Sequence, residues 1–195
     1  MYKEKTMKTL VFFGSARPHG RTRELLEHFL SALEGEVEII DCCRQSITPC
    51  CACSRCVETG KCAVDDGMTP IYEKLEQSDH VLFAAPMYFH GVPGPMKTCI
   101  DRLQPYWAAF PRGERHLIRP KRGAMILTGG APEFEGQFLP AETMLKAVLA
   151  DVGASCDAVI KMSFTNKVSL PERPDLQRQL TDLANLWNEQ GENHA

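Results

Sequence analysis

Residues 49–62 read PCCACSRCVETGKC and hold five of the chain's nine cysteines. Cys50, Cys53, Cys56 and Cys62 form C-x2-C-x2-C-x5-C, and Cys51 falls between ligand-spaced positions. The x2, x2 spacing opens cysteine runs in which thiolates close on one iron–sulfur cubane. Four thiolates also suit tetrahedral zinc, although zinc pairs are usually parted by a longer loop that lets two knuckles grip the ion. Cys50/Cys53 and Cys53/Cys56 each have the spacing of a redox dithiol. A cysteine-rich loop that holds nothing is the remaining alternative. The spacing signals capacity for a soft metal and leaves occupancy open. Cys42, Cys43, Cys99 and Cys156 have no ligand spacing, and Cys99 and Cys156 read as small buried hydrophobes.

The bulk properties narrow the setting. The 195 residues suit a single domain over 1–195, with a Cys-rich loop at 49–66. Hydrophobic residues at 44% and charged residues at 24% describe a globular chain. A net charge of -3 argues against nucleic acid as the partner. No apolar run reaches the roughly 20 residues of a membrane helix. The opening MYKEKTMKTL has no apolar signal core and reads as a polar lead-in to a strand. The expectation is a cytoplasmic protein whose thiols stay reduced, so nine cysteines are not a disulfide framework. The histidines are scattered, without H-x3-H or H-E-x-x-H spacing, and His194 lies in a polar tail.

The elements that must position this chemistry alternate along the chain. Short apolar runs at 8–13, 37–40, 81–85, 124–128 and 158–164 read as strands. Between them lie helical patterns. One carries Leu25, Leu26, Phe29, Leu30 and Leu33 and is ended by Gly35. Others span 68–77, 95–103 and 141–152, and the last opens at Pro174 with Leu176, Leu180, Leu183 and Trp187 on one face. The cysteine segment reads as loop. Near-continuous apolar strands alternating with helices predict an α/β fold, a parallel sheet with helices on both faces. With five strands, the flavodoxin-like order 2-1-3-4-5 is the leading candidate, and the absence of G-x-G-x-x-G from the first turn speaks against a Rossmann dehydrogenase.

In such sheets ligands bind beyond the carboxyl ends of the strands. Three loops should meet there. GSARPHGRT after the first strand is not a Walker loop, but Ser15, Arg17, Arg21 and Thr22 with the N–H groups of a helix start suit a phosphate monoester. An ordinary turn with solvated arginines fits it equally well. The stretch APMYFHGVPGPMKTCIDR after the third strand offers backbone amides and an aromatic ring to a flat ligand. The Gly pair in LTGGAPEFEG after the fourth is a tight turn or a close approach to a ligand.

Together these stretches resemble the NADPH-dependent FMN reductase and iron–sulfur flavoprotein group of flavodoxin-like proteins, over residues 8–130. That group's first loop usually reads G-S-P-R-x-x-G-N-T. Ser15, Arg17, Gly20 and Thr22 match it, while Ala16 replaces the proline and Arg21 the asparagine. The resemblance implies FMN, its phosphate held by Ser15, Arg17, Gly20, Arg21 and Thr22. It implies that Pro86, Met87, Tyr88, Phe89, His90 and Gly91 wrap the isoalloxazine and that Thr128, Gly129 and Gly130 touch its polar edge. The cysteine spacing is similar to the compact motif of iron–sulfur flavoproteins, which implies Cys50, Cys53, Cys56 and Cys62 as ligands of one [4Fe–4S] cluster. It implies further a homodimer or tetramer, with Asp101-Arg102 matching the family's I-D-R on an interface helix, and a ferredoxin-like carrier or small-molecule acceptor as partner. NAD(P)H is the co-substrate of a cluster-free FMN or quinone reductase, one alternative; a redox carrier or sensor without enzymatic turnover is the other. No catalytic acid or base stands out; His90, within the flavin loop, reads as a surface histidine, with a hydrogen bond to the ring or substrate as the alternative.

Overall fold

A computed structural model describes residues 6–192; the first five residues of the lead-in and His194 lie outside them. Five parallel strands, β1 (Lys8–Phe13), β2 (Glu36–Asp41), β3 (His80–Pro86), β4 (Arg122–Thr128) and β5 (Ala158–Met162), pair in the order β2-β1-β3-β4-β5. Each strand position alternates faces, as the pleat requires. Leu10 and Phe12 of β1 and Val81, Phe83 and Ala85 of β3 point to one side, where Phe12 stacks on Phe83 at 5.0 Å. Val11, Phe13, Leu82 and Ala84 point to the other.

Helices cover both faces. The first face is packed by α3 (Thr69–Gln77), α4 (Gly94–Asp101) and α6 (Leu139–Asp151) through Ile71, Leu75, Met96, Cys99, Leu145 and Leu149. The second is packed by α1 (Arg21–Ala32) and α7 (Pro174–Glu192) through Leu25, Leu26, Phe29, Leu180 and Leu183. Each large apolar side chain so buried stabilises the fold by about 1.5–3 kcal/mol before conformational entropy is subtracted.

Three local expectations are corrected. β5 ends at Met162, because the chain bends at Phe164, whose φ is 60°. α1 ends at Ala32, and Gly35 serves β2: its φ is 95°, and an added Cβ would lie 2.5 Å from the Met7 carbonyl oxygen. The cysteine segment is not all loop, since α2 (Arg55–Thr59) forms inside it. Another short helix, α5 (Gln104–Ala108), carries Tyr106 and Trp107.

Trp187 ties α7 to the amino-terminal edge of the sheet. It is fully buried, meets Phe29 edge-on at 5.4 Å and stacks on His80 at 4.5 Å. Its indole N–H donates to Asp157 Oδ2 at 2.9 Å, and Arg122 Nε donates to the same oxygen at 2.5 Å. Trp187→Ala is expected to cost about 3–5 kcal/mol, the range for truncating a buried aromatic. Urea unfolding followed by far-UV circular dichroism reads this as a lower midpoint, and a loss under about 1 kcal/mol contradicts the anchor role.

Candidate functional site

β1 lies between β2 and β3, so the chain leaves the sheet in opposite directions on either side of it. Backbone bonds continue past the strand ends and fix the loops there. Gly14 N donates to Ala84 O at 2.9 Å, Cys42 N to Phe13 O at 2.9 Å, Met87 N to Thr128 O at 2.7 Å and Gly129 N to Met162 O at 2.8 Å. The three loops expected at the carboxyl edge do begin there.

In the first loop, Ser15 is buried and its Oγ accepts from Arg17 N at 3.2 Å. Helix α1 starts behind Gly20 with no side-chain cap, which leaves first-turn N–H groups for another acceptor. The Arg17 side chain is exposed, and its guanidinium has no hydrogen bond or ion pair among the described residues. Arg21 is committed differently. It pairs with Glu24 at 2.9 Å and reaches Thr165 O at 3.4 Å. Thr22 is buried with its hydroxyl 2.6 Å from Thr128 Oγ1, a bond joining the first loop to the end of β4.

In the second loop, Tyr88 and Gly91 exchange backbone bonds of 2.9 and 3.1 Å. Between them Phe89 and His90 both have positive φ, 49° and 66°. Non-glycine residues hold this tight-turn geometry at a cost of roughly 1–2 kcal/mol each. The turn presents Phe89 wholly to solvent and sets the exposed His90 edge-on to Phe134 at 6.4 Å. In the third loop, the glycines answer to the protein's own packing. A Cβ on Gly129 would lie 2.6 Å from Gln137 Nε2, and one on Gly130 would lie 2.8 Å from Asn166 Nδ2.

The cysteine segment forms a second feature. Cys50, Cys51, Cys53, Cys56 and Cys62 all line one cavity of about 400 Å³, whose wall Arg102 and Trp107 also form. Cys51, set aside on spacing, shares that wall. As placed, no three metal-binding side chains among the described residues converge on one point, and all nine cysteines are free thiols. A larger cavity of about 640 Å³ shares Cys62, Val64 and Pro105 with this chamber and runs along α3 and α5. Neither cavity is lined by the three carboxyl-edge loops.

Two guanidinium groups hold the segment. Arg102, at the end of α4, is 1% exposed. Its Nη1 donates to Thr48 O and Asp66 Oδ2, each at 2.8 Å, and its Nη2 to Val64 O at 3.0 Å. Asp66 also accepts from Thr48 N at 2.8 Å and Met68 N at 2.9 Å, which draws the two ends of the segment together. Arg112 Nη1 donates to Cys56 O at 2.6 Å. Burial pushes the Cys62 thiol up, but the Val64 backbone, the Tyr72 hydroxyl and the Arg102 guanidinium outweigh it and hold the thiol below its ordinary value. Burial pushes Cys56 up, and the neighbouring Cys62, Cys50 and Cys53 add to that.

Sequence reasoning missed Arg102 and Arg112. The I-D-R motif drew attention to Arg102 as part of an interface helix; within the chain it is a buried clasp, while Asp101 is the residue that pairs with Lys97 on the surface. Cys99 is buried as expected, but Cys156 is exposed, at the turn before β5.

A parallel sheet in the order 2-1-3-4-5 with loops meeting at its carboxyl edge defines a flavodoxin-like α/β protein. The chain belongs to the NADPH-dependent FMN reductase family, which matches residues 7–154. It is 33% identical over 128 residues to an iron–sulfur flavoprotein of Methanocaldococcus jannaschii, covering 64% of this chain and 63% of that protein. It is 34% identical over 124 residues to an iron–sulfur flavoprotein of Archaeoglobus fulgidus, covering 62% of this chain and 54% of that protein. The chain therefore spans less than two thirds of the length of these relatives. Its fold is similar to that of the NAD(P)H:quinone oxidoreductase from Methanothermobacter marburgensis, with a TM-score of 0.71 at 18% identity over 92% of this chain and 95% of that one. Among the described residues no helix is long and apolar enough to cross a membrane.

The clasp has an acid signature. Burial pushes the Asp66 carboxyl up, but Arg102 and the two backbone donors hold it at about 2, below its usual 3.8. Its contribution to stability is complete above that usual value and is lost as pH falls through about 2. Asp66→Asn is expected to be less stable than the parent near neutral pH, with the gap closing in acid. Urea midpoints measured between about pH 6 and pH 2 check this, and a gap that stays constant across the range rejects it.

Proposed function

We propose that the chain is an FMN-dependent oxidoreductase of the iron–sulfur flavoprotein kind. The carrying observation is that the thiols of residues 50–62 line one chamber on a segment that leaves the same sheet edge as the three loops. Family membership supports FMN, and the carboxyl edge has a fitting donor set. Ser15, Arg17, Gly20 and the first turn of α1, with Arg21 and Thr22 beside it, would hold the phosphate through N–H groups and the unpaired Arg17 charge. Pro86, Met87, Tyr88, Phe89, His90 and Gly91 would bound the ring, with the exposed aromatic turn as its wall. Thr128, Gly129 and Gly130 would face its polar edge.

Cys50, Cys53, Cys56 and Cys62 would hold a [4Fe–4S] cluster. Their chamber fits on two counts. Ala52 and Ser54 have φ of 53° and 59° amid residues of negative φ, and alternation of this kind is the backbone pattern from which N–H nests for anions are built. Arg102 adds a buried cation whose Nε has no partner. When bound, FMN exchanges electrons in pairs or singly, and an iron–sulfur cluster exchanges them singly. NAD(P)H would be the donor of electron pairs. A ferredoxin-like carrier or small acceptor would meet the cysteine side, and a second or fourth copy would cover the exposed Phe89 and Phe110.

Anaerobic purification tests the reading. Iron and acid-labile sulfide are expected at about four each per chain, the content of one cubane, with FMN near stoichiometric. Cys53→Ser or Cys56→Ser removes the iron and leaves the flavin. A chain that takes up no flavin after reconstitution rules the reading out, and a spectrum due to flavin alone favours a cluster-free reductase. Arg17→Gln is expected to weaken FMN binding roughly tenfold or more, the loss of one charge-assisted hydrogen bond. Fluorescence titration of the apoprotein with FMN measures it.

A further inference from the structure

Arg102 is the most deeply buried charge of the cysteine chamber, and a buried cation needs more than one reason to be there. Its terminal nitrogens are spent on Thr48, Val64 and Asp66. Its Nε is buried with no partner, a rare condition for so strong a donor. The guanidinium lines the same cavity as Cys62 and the other four cysteines of the segment, and its charge favours the Cys62 thiolate. Asp66, which does not line that cavity, pairs with Nη1 at 2.8 Å and offsets part of the charge.

The geometry points to Arg102 as the residue that sets the redox poise of the cysteine site, by holding one positive charge and one free N–H at the chamber wall beside Cys62. This rests on the cluster reading above. A clasp alone requires only the two terminal nitrogens. The charge lies on the wall of a cavity where four thiolates would bring negative charge together, and each added electron would make that charge larger. A fixed cation and an N–H directed at sulfur stabilise the more reduced form and raise the reduction potential. Arg112 supplies the contrast within the same segment. It grips the carbonyl of Cys56, pairs with Glu114 at 2.7 Å and lines the larger cavity, not the cysteine chamber, so its contribution is anchoring.

Redox titration of the reconstituted protein, followed by the electron paramagnetic resonance of the reduced cluster, separates tuning from anchoring. Arg102→Gln is expected to shift the cluster midpoint to a more negative potential. Arg102→Lys, which keeps the charge and loses the fork, shifts it less, and Arg112→Gln leaves it in place even where iron content falls. Equal midpoints in the parent and Arg102→Gln overturn the proposal while leaving the cluster reading intact. An equal shift in Arg112→Gln also overturns it, because general loosening of the segment would then explain both. A parent protein that takes up no iron at all removes the cluster reading and this proposal with it.

Discussion

The placement of β1 between β2 and β3 is the constraint on which the site depends. The direction of travel across the sheet reverses at β1, so right-handed connections on its two sides cross opposite faces. α1 crosses one face and packs with α7; the cysteine segment and α3 cross the other. Between these departures the carboxyl edge stays uncovered, and the loops after β1, β3 and β4 begin there. The polar contacts described here refine that edge. They do not create it.

The edge is held by bonds between loops more than within them. The Thr22–Thr128 hydroxyl pair joins elements far apart in sequence. Gln137 receives Ser163 Oγ at 2.6 Å and donates to Ala131 O at 3.3 Å, so the turn after β4 is set by segments on both of its sides. Such cross-braces let a loop present backbone to a ligand without the loop itself being rigid in sequence terms. The strained turn at Phe89 and His90 belongs to the same economy, since the surrounding chain must over-determine a conformation that the residues themselves disfavour.

Much of this was legible in the sequence, for identifiable reasons. Strands buried on both faces give unbroken apolar runs, which is why KTLVFF and HVLFAAP stand out and why the sheet order could be anticipated. The loops were found because glycine, proline and hydroxyl residues cluster after those runs. Side-chain commitments were less visible. Nothing in GSARPHGRT says that Arg21 is engaged by Glu24 while Arg17 is not. Nothing in TGG says that Gln137 and Asn166 stand where Cβ atoms would be. Arg102 was hidden for the same reason: its partners lie at Thr48, Val64 and Asp66, remote in sequence, and a lone arginine at a helix end reads as surface.

The manner in which residues 48–66 are closed has a consequence for how this protein could change. Gly67 N donates to Ser46 O at 3.1 Å, just outside the Asp66–Thr48 bond, so the segment leaves and rejoins the body almost at one point. A loop pinched at its neck can lengthen or shorten with little entropic penalty, roughly 0.6 kcal/mol per doubling. The spacing of the thiols is thus mechanically independent of the sheet. Excision of the whole stretch would remove no strand pairing, but it would strip the buried Arg102 of Thr48, Val64 and Asp66 and leave its charge unpaired. Between its pinched ends the cysteine unit can change in length without disturbing the sheet, so long as Thr48, Val64 and Asp66 remain at its neck to receive Arg102.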